Sequence, residues 1–478
     1  MSVALIAAAL LASSDCVDAL CGGQALAPYF EKLSRARGRD GRPVHILQIG
    51  DSHTAGDAIT GAWRDLLQAR YGSGGRGVLA AGRPYAGYLT RGVTASMSDG
   101  WKVSATFGAA SAFPRPALGV SGFSLTSQRP GARIALAADP NEMFDRFTIC
   151  GLAASNAGAL SIRIGTEVTR FNLDSNSARP ECRTISSPAP QSAVDIVAEG
   201  GPVTITSWAS FRDAGGVALS NVGVVGSQLV HFARTDDAVL AEELRAYRPD
   251  LIVLAFGTNE GFAPRFTPSE YEITLRTQIG RLRRIAGNVP ILLLGAPDAS
   301  SRRAEMKTNA PGPVPAPCRE AGATPVAYRP ALVPPAAPAV APPPSADTLA
   351  GIMAGVRAEA GEGGASGDSA IAPPAPPPPR VVVPAVSVAA PSGRPPLFPP
   401  AGLASVREVQ RRVAASLNVA LWDWEARMGG RCSAPGWVRA SPPLMRGDYV
   451  HFTSAGGQEI AARLQADLDR AADAAAGR

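Results

Sequence analysis

The chain has 478 residues, of which 46% are hydrophobic, so it is long enough for two or three domains with a sizeable buried core. The formal net charge is +6, but the basic residues are scattered and form no run that would indicate nucleic-acid binding. Beyond the N-terminal segment, no stretch is long and apolar enough to span a bilayer. The composition therefore predicts a soluble globular protein without a nucleic-acid partner or an integral membrane segment.

The N-terminal segment predicts export. Residues 3–12 are apolar and small, a run of the length of a signal-peptide core and too short for a membrane span. Small residues within 17–19 suit a cleavage site, so residues 1–19 are assigned to a signal peptide, and Cys16 is expected to leave with it. No Lys or Arg precedes the apolar core, so the signal is atypical or the true start lies upstream. A buried N-terminal helix is the alternative.

Residues 24–92 predict the first part of an α/β domain. An amphipathic helix in 24–37 leads into the apolar run 44–49, which is typical of a buried strand. The run ends in Gly50-Asp51-Ser52, and helical spacing follows over 58–70. A serine at the carboxyl end of a buried strand lies where open α/β sheets bind their ligands, although it could simply cap the helix.

Residues 93–215 have a different pattern. Short alternating runs are separated by Gly, Pro, Asn and Asp, which predicts a β-sandwich or jelly roll inserted into the α/β domain. Export would permit disulfides, and Cys150 with Cys182 is the preferred pair in this region. Trp101 and Trp208 could stack on sugar rings or pack in the core.

The α/β pattern returns in 216–310 and again in 401–475. Four more strands are predicted, at 222–225, 251–256, 291–294 and 419–422. Helical spacing is strongest at 268–286, 402–417 and 454–472. With the first strand, these elements predict a five-stranded, doubly wound parallel sheet with helices on both faces.

The two α/β segments are separated by residues 311–400, which hold more than half of all the prolines. A segment of this composition cannot bury a core of its own. It is predicted to be a disordered or polyproline-like insertion, with 347–358 as a transient helix. The sequence does not indicate what this segment binds.

Polar and glycine residues follow several predicted strands, and they suit acyl transfer. Because the carboxyl ends of parallel strands meet at one edge of a sheet, we expect these groups to converge. Ser52 can act as the nucleophile, His451 as its base, and Asp448 as the acceptor that orients the imidazole. The backbone N–H groups of Ser52 and Gly226 and the side-chain amide of Asn259 can donate to an oxyanion.

The order of these groups resembles the SGNH (GDSL-type) hydrolase superfamily. The matching blocks are Gly50-Asp51-Ser52, Gly226, Gly257-Thr258-Asn259-Glu260 and Asp448-Tyr449-Val450-His451. The resemblance implies a flavodoxin-like sheet, with Ser52 as the nucleophile, Gly226 and Asn259 in the oxyanion hole, and Asp448 and His451 completing the triad. No Gly-x-Ser-x-Gly elbow surrounds Ser52, which disfavours the ordinary α/β-hydrolase fold.

Within that superfamily, the Gly-Asp-Ser-His-Thr form, the β-rich insertion and the His-Phe-Thr ending resemble bacterial peptidoglycan O-acetylesterases. In those proteins the insertion resembles a carbohydrate-binding module of family 35. The resemblance implies a periplasmic or secreted esterase acting on an acetylated glycan, without a metal or organic cofactor. His53 replaces the usual Leu and Glu260 the usual Asp. His53 could bind substrate or only occupy the first turn of the helix.

Other functions remain open. The same triad would serve a polysaccharide O-acyltransferase, or an esterase for another acetylated glycan. A non-catalytic glycan-binding envelope protein would use only the β-rich insertion and the proline-rich segment. No CxxC motif or Cys/His cluster predicts a metal site.

Overall fold

The computed structural model describes residues 16–36, 41–88, 90–302, 316–318 and 396–477. The predicted signal-peptide core and most of the proline-rich segment, including the proposed transient helix, lie outside the described residues. The described strands are β1 (Cys16–Val17), β2 (Leu20–Cys21), β3 (Val44–Gly50), β4 (Gly77–Leu79), β5 (Val93–Met97), β6 (Trp101–Ala105), β7 (Phe123–Ser127), β8 (Arg133–Ala138), β9 (Phe144–Ala153), β10 (Ala159–Ile164), β11 (Glu167–Asn172), β12 (Arg179–Gln191), β13 (Ala193–Glu199), β14 (Val203–Phe211), β15 (Val217–Gly223), β16 (Leu251–Ala255), β17 (Ile291–Leu294) and β18 (Ala420–Trp422).

The helices alternate with the strands of the α/β part. The described α-helices are α1 (Ala27–Ser34), α2 (Ser52–Ala55), α3 (Ala58–Tyr71), α4 (Leu229–Phe232), α5 (Asp237–Tyr247), α6 (Thr258–Phe262), α7 (Pro268–Ala286), α8 (Leu403–Leu417), α9 (Trp424–Met428), α10 (Ala434–Arg439) and α11 (Ser454–Ala475). No helix in the described part of the chain combines the length and the apolar character needed to cross a membrane.

The central sheet has the strand order β1-β2-β18-β17-β16-β3-β15. From β15 to β18 each neighbouring pair is parallel. β3, β15, β16, β17 and β18 consist entirely of buried residues, and separate apolar clusters cover the two faces of the sheet. The predicted α/β class is therefore confirmed, but the sheet has seven strands rather than five, because a hairpin adds β1 and β2 at one edge.

One predicted strand is misplaced. The strand expected at 222–225 is β15 (Val217–Gly223), and residues 224–225 already lie in the loop that follows it. β15 pairs with β3 along its whole length, from Val217 opposite Val44 to Gly223 opposite Gly50. At Gly223 a β-carbon would come within 2.3 Å of the Ala55 backbone nitrogen, so only glycine fits at the end of this strand. The other four predicted strands are found within one residue of their expected positions.

The hairpin β1–β2 overlaps the end of the predicted signal peptide. Cys16 and Cys21 form a disulfide, and β2 pairs with the last strand of the sheet, β18. Leu20 is fully buried, and the Asp18 carboxylate forms a salt bridge with Arg470. Cleavage after residue 19 would remove β1 and this disulfide, so the predicted cleavage site stays a prediction.

The region predicted as a β-rich insertion forms two antiparallel sheets. One has the order β11-β10-β13-β8-β5, and the other the order β12-β9-β14-β7-β6. A common apolar core joins the two sheets and includes Trp208, which is 1% exposed; its alternative role in sugar stacking is therefore excluded. Cys150 and Cys182 lie opposite each other on β9 and β12 and form the expected disulfide. Strand β4, which precedes this region in the chain, pairs with β14.

The described ends of the proline-rich segment lie side by side. Ser301 and Phe398 exchange two backbone hydrogen bonds of 2.8 Å. Cys318 donates its backbone N–H to Leu397 and forms a disulfide with Cys432. The chain thus leaves the α/β fold and returns to it at the same place, so a long insertion there does not interrupt the sheet.

A buried cluster of charges connects α3 with the β-rich insertion. Asp57 is fully buried, and its carboxylate accepts hydrogen bonds from Arg64 at 3.0 Å and from Arg76 at 3.1 Å. The Arg64 side chain also lies 3.4 Å from Glu142, which belongs to the insertion. Burial alone would raise the pKa of Asp57, but the charges of Arg64 and Arg76 outweigh it and lower the pKa to about 2.

Because Asp57 neutralises two buried guanidinium groups, we expect Asp57→Asn to lower the free energy of unfolding by about 3 kcal/mol. The measurement is urea denaturation of the oxidised protein. The control is Glu199→Gln, which removes an exposed ion pair with Arg170 and should change stability by less than about 0.5 kcal/mol. Equal effects of the two substitutions would contradict a stabilising role for the buried cluster.

Candidate active site

Ser52 lies at the first position of α2, two residues after the end of strand β3 of the central sheet. The turn between them requires glycine at position 50, because a β-carbon there would lie 2.3 Å from the Thr54 hydroxyl and 2.6 Å from the Ala255 carbonyl oxygen. Asp51 caps the helix by accepting a hydrogen bond from the His53 backbone N–H at 2.9 Å. The apolar strand and the glycine turn therefore present the Ser52 hydroxyl at the carboxyl edge of the sheet.

Ser52, His451 and Asp448 form a chain of hydrogen bonds. The Ser52 Oγ lies 2.9 Å from His451 Nε2, and His451 Nδ1 lies 2.9 Å from Asp448 Oδ2. With its proton on Nδ1, the imidazole donates to the carboxylate and leaves Nε2 free to accept the serine proton. In chemical terms this is a nucleophile, a base and an orienting anion in sequence.

Asp448 is held in its charged form. Its second oxygen, Oδ1, accepts the backbone N–H groups of Val450 and His451 at 2.9 and 3.0 Å. Burial by itself would raise the pKa of Asp448, but the hydrogen bond and charge of His451 and these backbone donors lower it to about 2. The carboxylate therefore remains ionised over the range in which an imidazole can act as a base.

The segment after β17 holds the loop that carries Asp448 and His451. Tyr449 has φ = 60°, an uncommon conformation for a residue other than glycine. Its carbonyl accepts the Ser300 backbone N–H at 3.0 Å, and its hydroxyl accepts a hydrogen bond from Arg302 at 2.9 Å. These contacts come from the segment that leads into the proline-rich region, so the end of β17 and the following residues help to shape the loop.

The three groups predicted to bind an oxyanion lie on neighbouring strand ends. Gly226 follows β15 and has φ = 76°, a conformation that favours glycine. Asn259 lies in α6, after β16, and its side-chain amide donates to the Ser227 carbonyl at 2.9 Å. The same amide nitrogen is 3.4 Å from the Asp51 carboxylate, next to Ser52. The structure therefore brings Gly226 and Asn259 to the same edge of the sheet as Ser52.

Sequence reasoning gave no role to three residues that support this edge. The Glu260 carboxylate accepts backbone N–H groups from Leu229 and Gly257, at 2.7 and 2.9 Å, and so links α4 to α6. Burial raises the pKa of Glu260 to about 7. Gln228 donates its side-chain amide to the Asn259 carbonyl at 3.1 Å and its backbone N–H to His231 Nδ1. Only proximity to the predicted motifs could have indicated these residues.

The side chain of His53 is almost fully buried, and its role in substrate binding stays a prediction. Its side chain is 3% exposed, and its two ring nitrogens lie 3.2 Å from the Asp51 carboxylate and 3.0 Å from the Val450 carbonyl. The ring also stacks against the His451 ring, with centroids 5.4 Å apart. His53 therefore joins the Ser52 turn to the loop that carries His451.

Both hydrogen-bond partners of His53 are acceptors, so the protonated ring satisfies both of them. Burial would lower the pKa of His53, but the charge of Asp51 and the hydrogen bonds to Asp51 and Val450 outweigh it and raise the pKa. Among the described residues, no three His, Cys, Asp or Glu side chains are grouped to hold a metal ion.

Comparisons with known proteins indicate the fold. No family model and no curated protein matches the sequence. Among solved structures, the chain is similar to one described as "Peptidoglycan O-acetylesterase in action, 5 min", with 19% identity and a TM-score of 0.64, over 94% of this chain and 97% of that one. This similarity covers nearly the whole of both chains and shows a shared fold. The resemblance inferred from the sequence motifs is therefore confirmed at the level of the fold.

Two further structures are more distant. A family two carbohydrate esterase from Cellvibrio japonicus has 16% identity and a TM-score of 0.16, over 43% of this chain and 79% of that one. A salicylyl-acyltransferase from a tetracycline biosynthetic pathway has 12% identity and a TM-score of 0.28, over 80% of this chain and 95% of that one. Both TM-scores are too low to show a shared fold.

We expect His53→Ala to lower kcat for a chromogenic acetyl ester by about 10- to 100-fold with little change in KM, because the His451 loop loses its buried partner. His53→Gln retains a donor for the Val450 carbonyl and should recover part of the activity, which a loss of packing alone would not explain. The measurements are steady-state kinetics and the thermal unfolding midpoint. Unchanged kcat in a folded His53→Ala variant would contradict this positioning role.

The low pKa of Asp448 predicts how stability changes with pH. The pKa of this carboxyl falls from 3.8 to about 2 on folding. Above about pH 4 this shift stabilises the folded protein by up to about 2 kcal/mol. The stabilisation is lost as the pH falls towards 2. We therefore expect Asp448→Asn to be less stable than the parent at neutral pH. Urea denaturation should show this difference shrinking between about pH 4 and pH 2. A constant difference down to pH 2 would contradict the assignment.

Proposed function

We propose that this protein is an exported serine esterase that removes O-acetyl groups from a cell-wall polysaccharide, and that this polysaccharide is peptidoglycan. The observation that carries the proposal is the hydrogen-bonded chain from Ser52 through His451 to Asp448, next to Gly226 and Asn259. This constellation suits acyl transfer and does not require a metal.

In the first half-reaction, the Ser52 oxygen attacks the acetyl carbonyl while His451 Nε2 takes the hydroxyl proton. The tetrahedral oxyanion accepts hydrogen bonds from the Ser52 and Gly226 backbone N–H groups and from the Asn259 amide. Each such donor lowers the activation barrier by about 3–4 kcal/mol. His451 then returns the proton to the sugar oxygen, which leaves as a hydroxyl. The products are the deacetylated sugar and an acetyl ester on Ser52.

In the second half-reaction, water replaces the sugar. His451 removes a proton from the water as its oxygen attacks the acetyl-enzyme, and the same donors stabilise the second oxyanion. Collapse of this intermediate breaks the bond to the Ser52 oxygen, which regains the proton from His451. Acetate is released, and the enzyme returns to its starting state. The charged Asp448 stabilises the imidazolium in both halves.

Two observations support the substrate class and the compartment. The fold extends over 97% of a structure described as a peptidoglycan O-acetylesterase and includes the β-rich insertion. All six cysteines are paired in disulfides, which form in oxidising compartments such as the periplasm. An acetylated glycan polymer in the cell envelope fits both observations.

The decisive experiment measures acetate release from O-acetylated peptidoglycan by the parent and by Ser52→Ala. We expect the parent to release acetate and Ser52→Ala to lose at least about 10³-fold in rate, because no other hydroxyl replaces the nucleophile. Ser34→Ala, which changes an exposed serine at the end of α1, serves as the matched control and should retain full activity.

Each outcome separates the alternatives. If the parent hydrolyses a small acetyl ester but leaves peptidoglycan intact, the catalytic assignment holds and the polymer assignment is wrong. A rate that rises when oligosaccharide acceptors are added, with acetyl transferred to them, would indicate an acyltransferase. No turnover of either substrate by a folded parent protein would favour a non-catalytic glycan-binding protein.

A further inference from the structure

The loop between β6 and β7 of the β-rich insertion, residues 106–122, lies against the α/β domain. Its Thr106 carbonyl accepts a hydrogen bond from the Arg234 side chain at 2.9 Å, and its Leu118 carbonyl accepts the Asp236 backbone N–H at 2.8 Å. Both donors lie just after α4. The loop is therefore fixed near each end to the segment that follows the Gly226 turn.

The same loop borders the candidate active site. The Phe107 ring stacks on the His231 ring, with centroids 4.3 Å apart, and His231 accepts the Gln228 backbone N–H. The Gln228 side chain in turn contacts the Asn259 carbonyl. Ala110 of the loop packs in one apolar cluster with Val224, two residues before Gly226. Residues 106–122 thus lie on the side of the site that holds the proposed oxyanion donors.

An aromatic ring projects from this loop into solvent. Phe113 is 79% exposed, the highest value among the large hydrophobic side chains in the described part of the chain. The guanidinium carbon of Arg115 lies 3.9 Å from the centre of its ring, which is a cation–π contact. One face of the ring is covered in this way, and the other is open to a ligand.

Arg115 in this loop and Arg234, whose side chain contacts the start of the loop, have no acidic partner. Arg115 donates to the backbone carbonyls of Ser111 and Arg234, and Arg234 donates to that of Thr106. Among the described residues, no carboxylate lies within salt-bridge distance of either guanidinium. Partial burial and the charge of Arg234 lower the pKa of Arg115, as expected where positive charge is not neutralised.

The acidic residues that follow Arg234 in the chain do not provide this neutralisation. Asp236 accepts the backbone N–H groups of Ala238 and Val239 as the cap of α5, and Asp237 pairs with Arg281 on α7. The loop and the segment after α4 therefore carry an apolar ring and two uncompensated positive charges on the side of the site where Gln228 contacts Asn259.

We propose that Phe113, Arg115 and Arg234 form a subsite for a carboxylate-bearing sugar unit of the glycan chain. The open face of Phe113 packs against the apolar C–H face of a sugar ring. The guanidinium groups of Arg115 and Arg234 donate to a carboxylate, for which planar paired N–H donors are suited. The subsite rests on the proposed esterase function, since it holds the polymer while an acetyl group lies at Ser52.

The subsite is tested by binding in a Ser52→Ala background, so that the ligand is not consumed. The probe is a set of soluble peptidoglycan fragments, used with free carboxylates and after conversion of the carboxylates to amides. By calorimetry we expect the full-length Ser52→Ala protein to bind the acidic fragments. Adding Arg115→Gln and Arg234→Gln should weaken this binding about tenfold, and amidation of the fragments should have a similar effect.

The matched control is Arg129→Gln, also in the Ser52→Ala background. Arg129 is an exposed arginine in the connection between β7 and β8, at the other end of the insertion, and its loss should leave binding unchanged. Phe113→Ala tests the ring separately and should weaken the binding of both the acidic and the amidated fragments. Thermal unfolding midpoints close to that of Ser52→Ala establish that the variants are folded.

Failure of the subsite and failure of the esterase assignment are distinguishable. The subsite is overturned if Ser52→Ala and the variant that also carries Arg115→Gln and Arg234→Gln bind the acidic fragments equally well. It is also overturned if Ser52→Ala binds acidic and amidated fragments equally well, or if it binds neither. None of these results affects acetate release by the parent. With Ser52 intact, the two arginine substitutions should raise KM for the polymer and leave hydrolysis of a small acetyl ester unchanged.

Discussion

The register of three parallel strands determines the geometry of the candidate site. Gly50, the last residue of β3, lies opposite both Gly223 on β15 and Ala255 on β16. The three strands therefore end at one level, and the residues that follow them leave the sheet side by side. These residues are Ser52, Gly226 and Asn259. The close backbone contacts at Gly50 and Gly223 leave no room for a side chain at either position, so this register depends on both glycines.

The nucleophile side and the oxyanion side of this edge share one buried carboxylate. One Asp51 oxygen accepts hydrogen bonds from the His53 backbone and ring, and the other lies 3.4 Å from the Asn259 amide. Through His53 the same residue reaches the Val450 carbonyl, next to His451. Buried polar groups destabilise a protein unless they are satisfied, so this network is stable only when the turn, both loops and α6 are in place together. The positions of the reacting groups are thus linked to the integrity of the fold.

The sequence predicted which residues meet at this edge of the sheet better than it predicted their surroundings. Ser52, Asn259 and His451 could be found because each belongs to a short motif next to a strand or helix signal. The burial of His53 could not be predicted, because a polar residue after Ser52 gives no local indication of whether it is buried. β15 was misplaced because its apolar residues are interrupted by Ser220 and Asn221, while Val222 to Val225 form a clearer run. In both cases the deciding contacts come from residues far away in the chain.

Long-range contacts also explain the outcome for the cysteines. Cys150 and Cys182 could be paired because they lie in the same β-rich region, where cross-strand pairing is local. Cys318 and Cys432 are 114 residues apart, across the proline-rich segment, and no local pattern joins them. Cys16 was expected to be lost because small apolar residues precede it, yet its disulfide closes a hairpin on the sheet.

The attachment of the β-rich insertion bears on how specificity can arise. The Asp57 cluster is one attachment of the insertion to the α/β domain, and Glu243 on α5 provides another. Its carboxylate accepts hydrogen bonds from the Val120 backbone and from the Thr206 and Ser207 hydroxyls, all in the insertion. Glu243 is fully buried, so these contacts are not weakened by competing water. The loop that carries Phe113 is therefore held at a fixed place beside the Gly226 turn. A relay of serine, histidine and aspartate would act on any acetyl ester that reaches it, whereas an aromatic ring and arginines at a fixed distance accept only some chains. In the proposed enzyme, selection of the substrate would then reside in the loop of the insertion and in Arg234 beside it, and the chemistry would reside at the edge of the sheet.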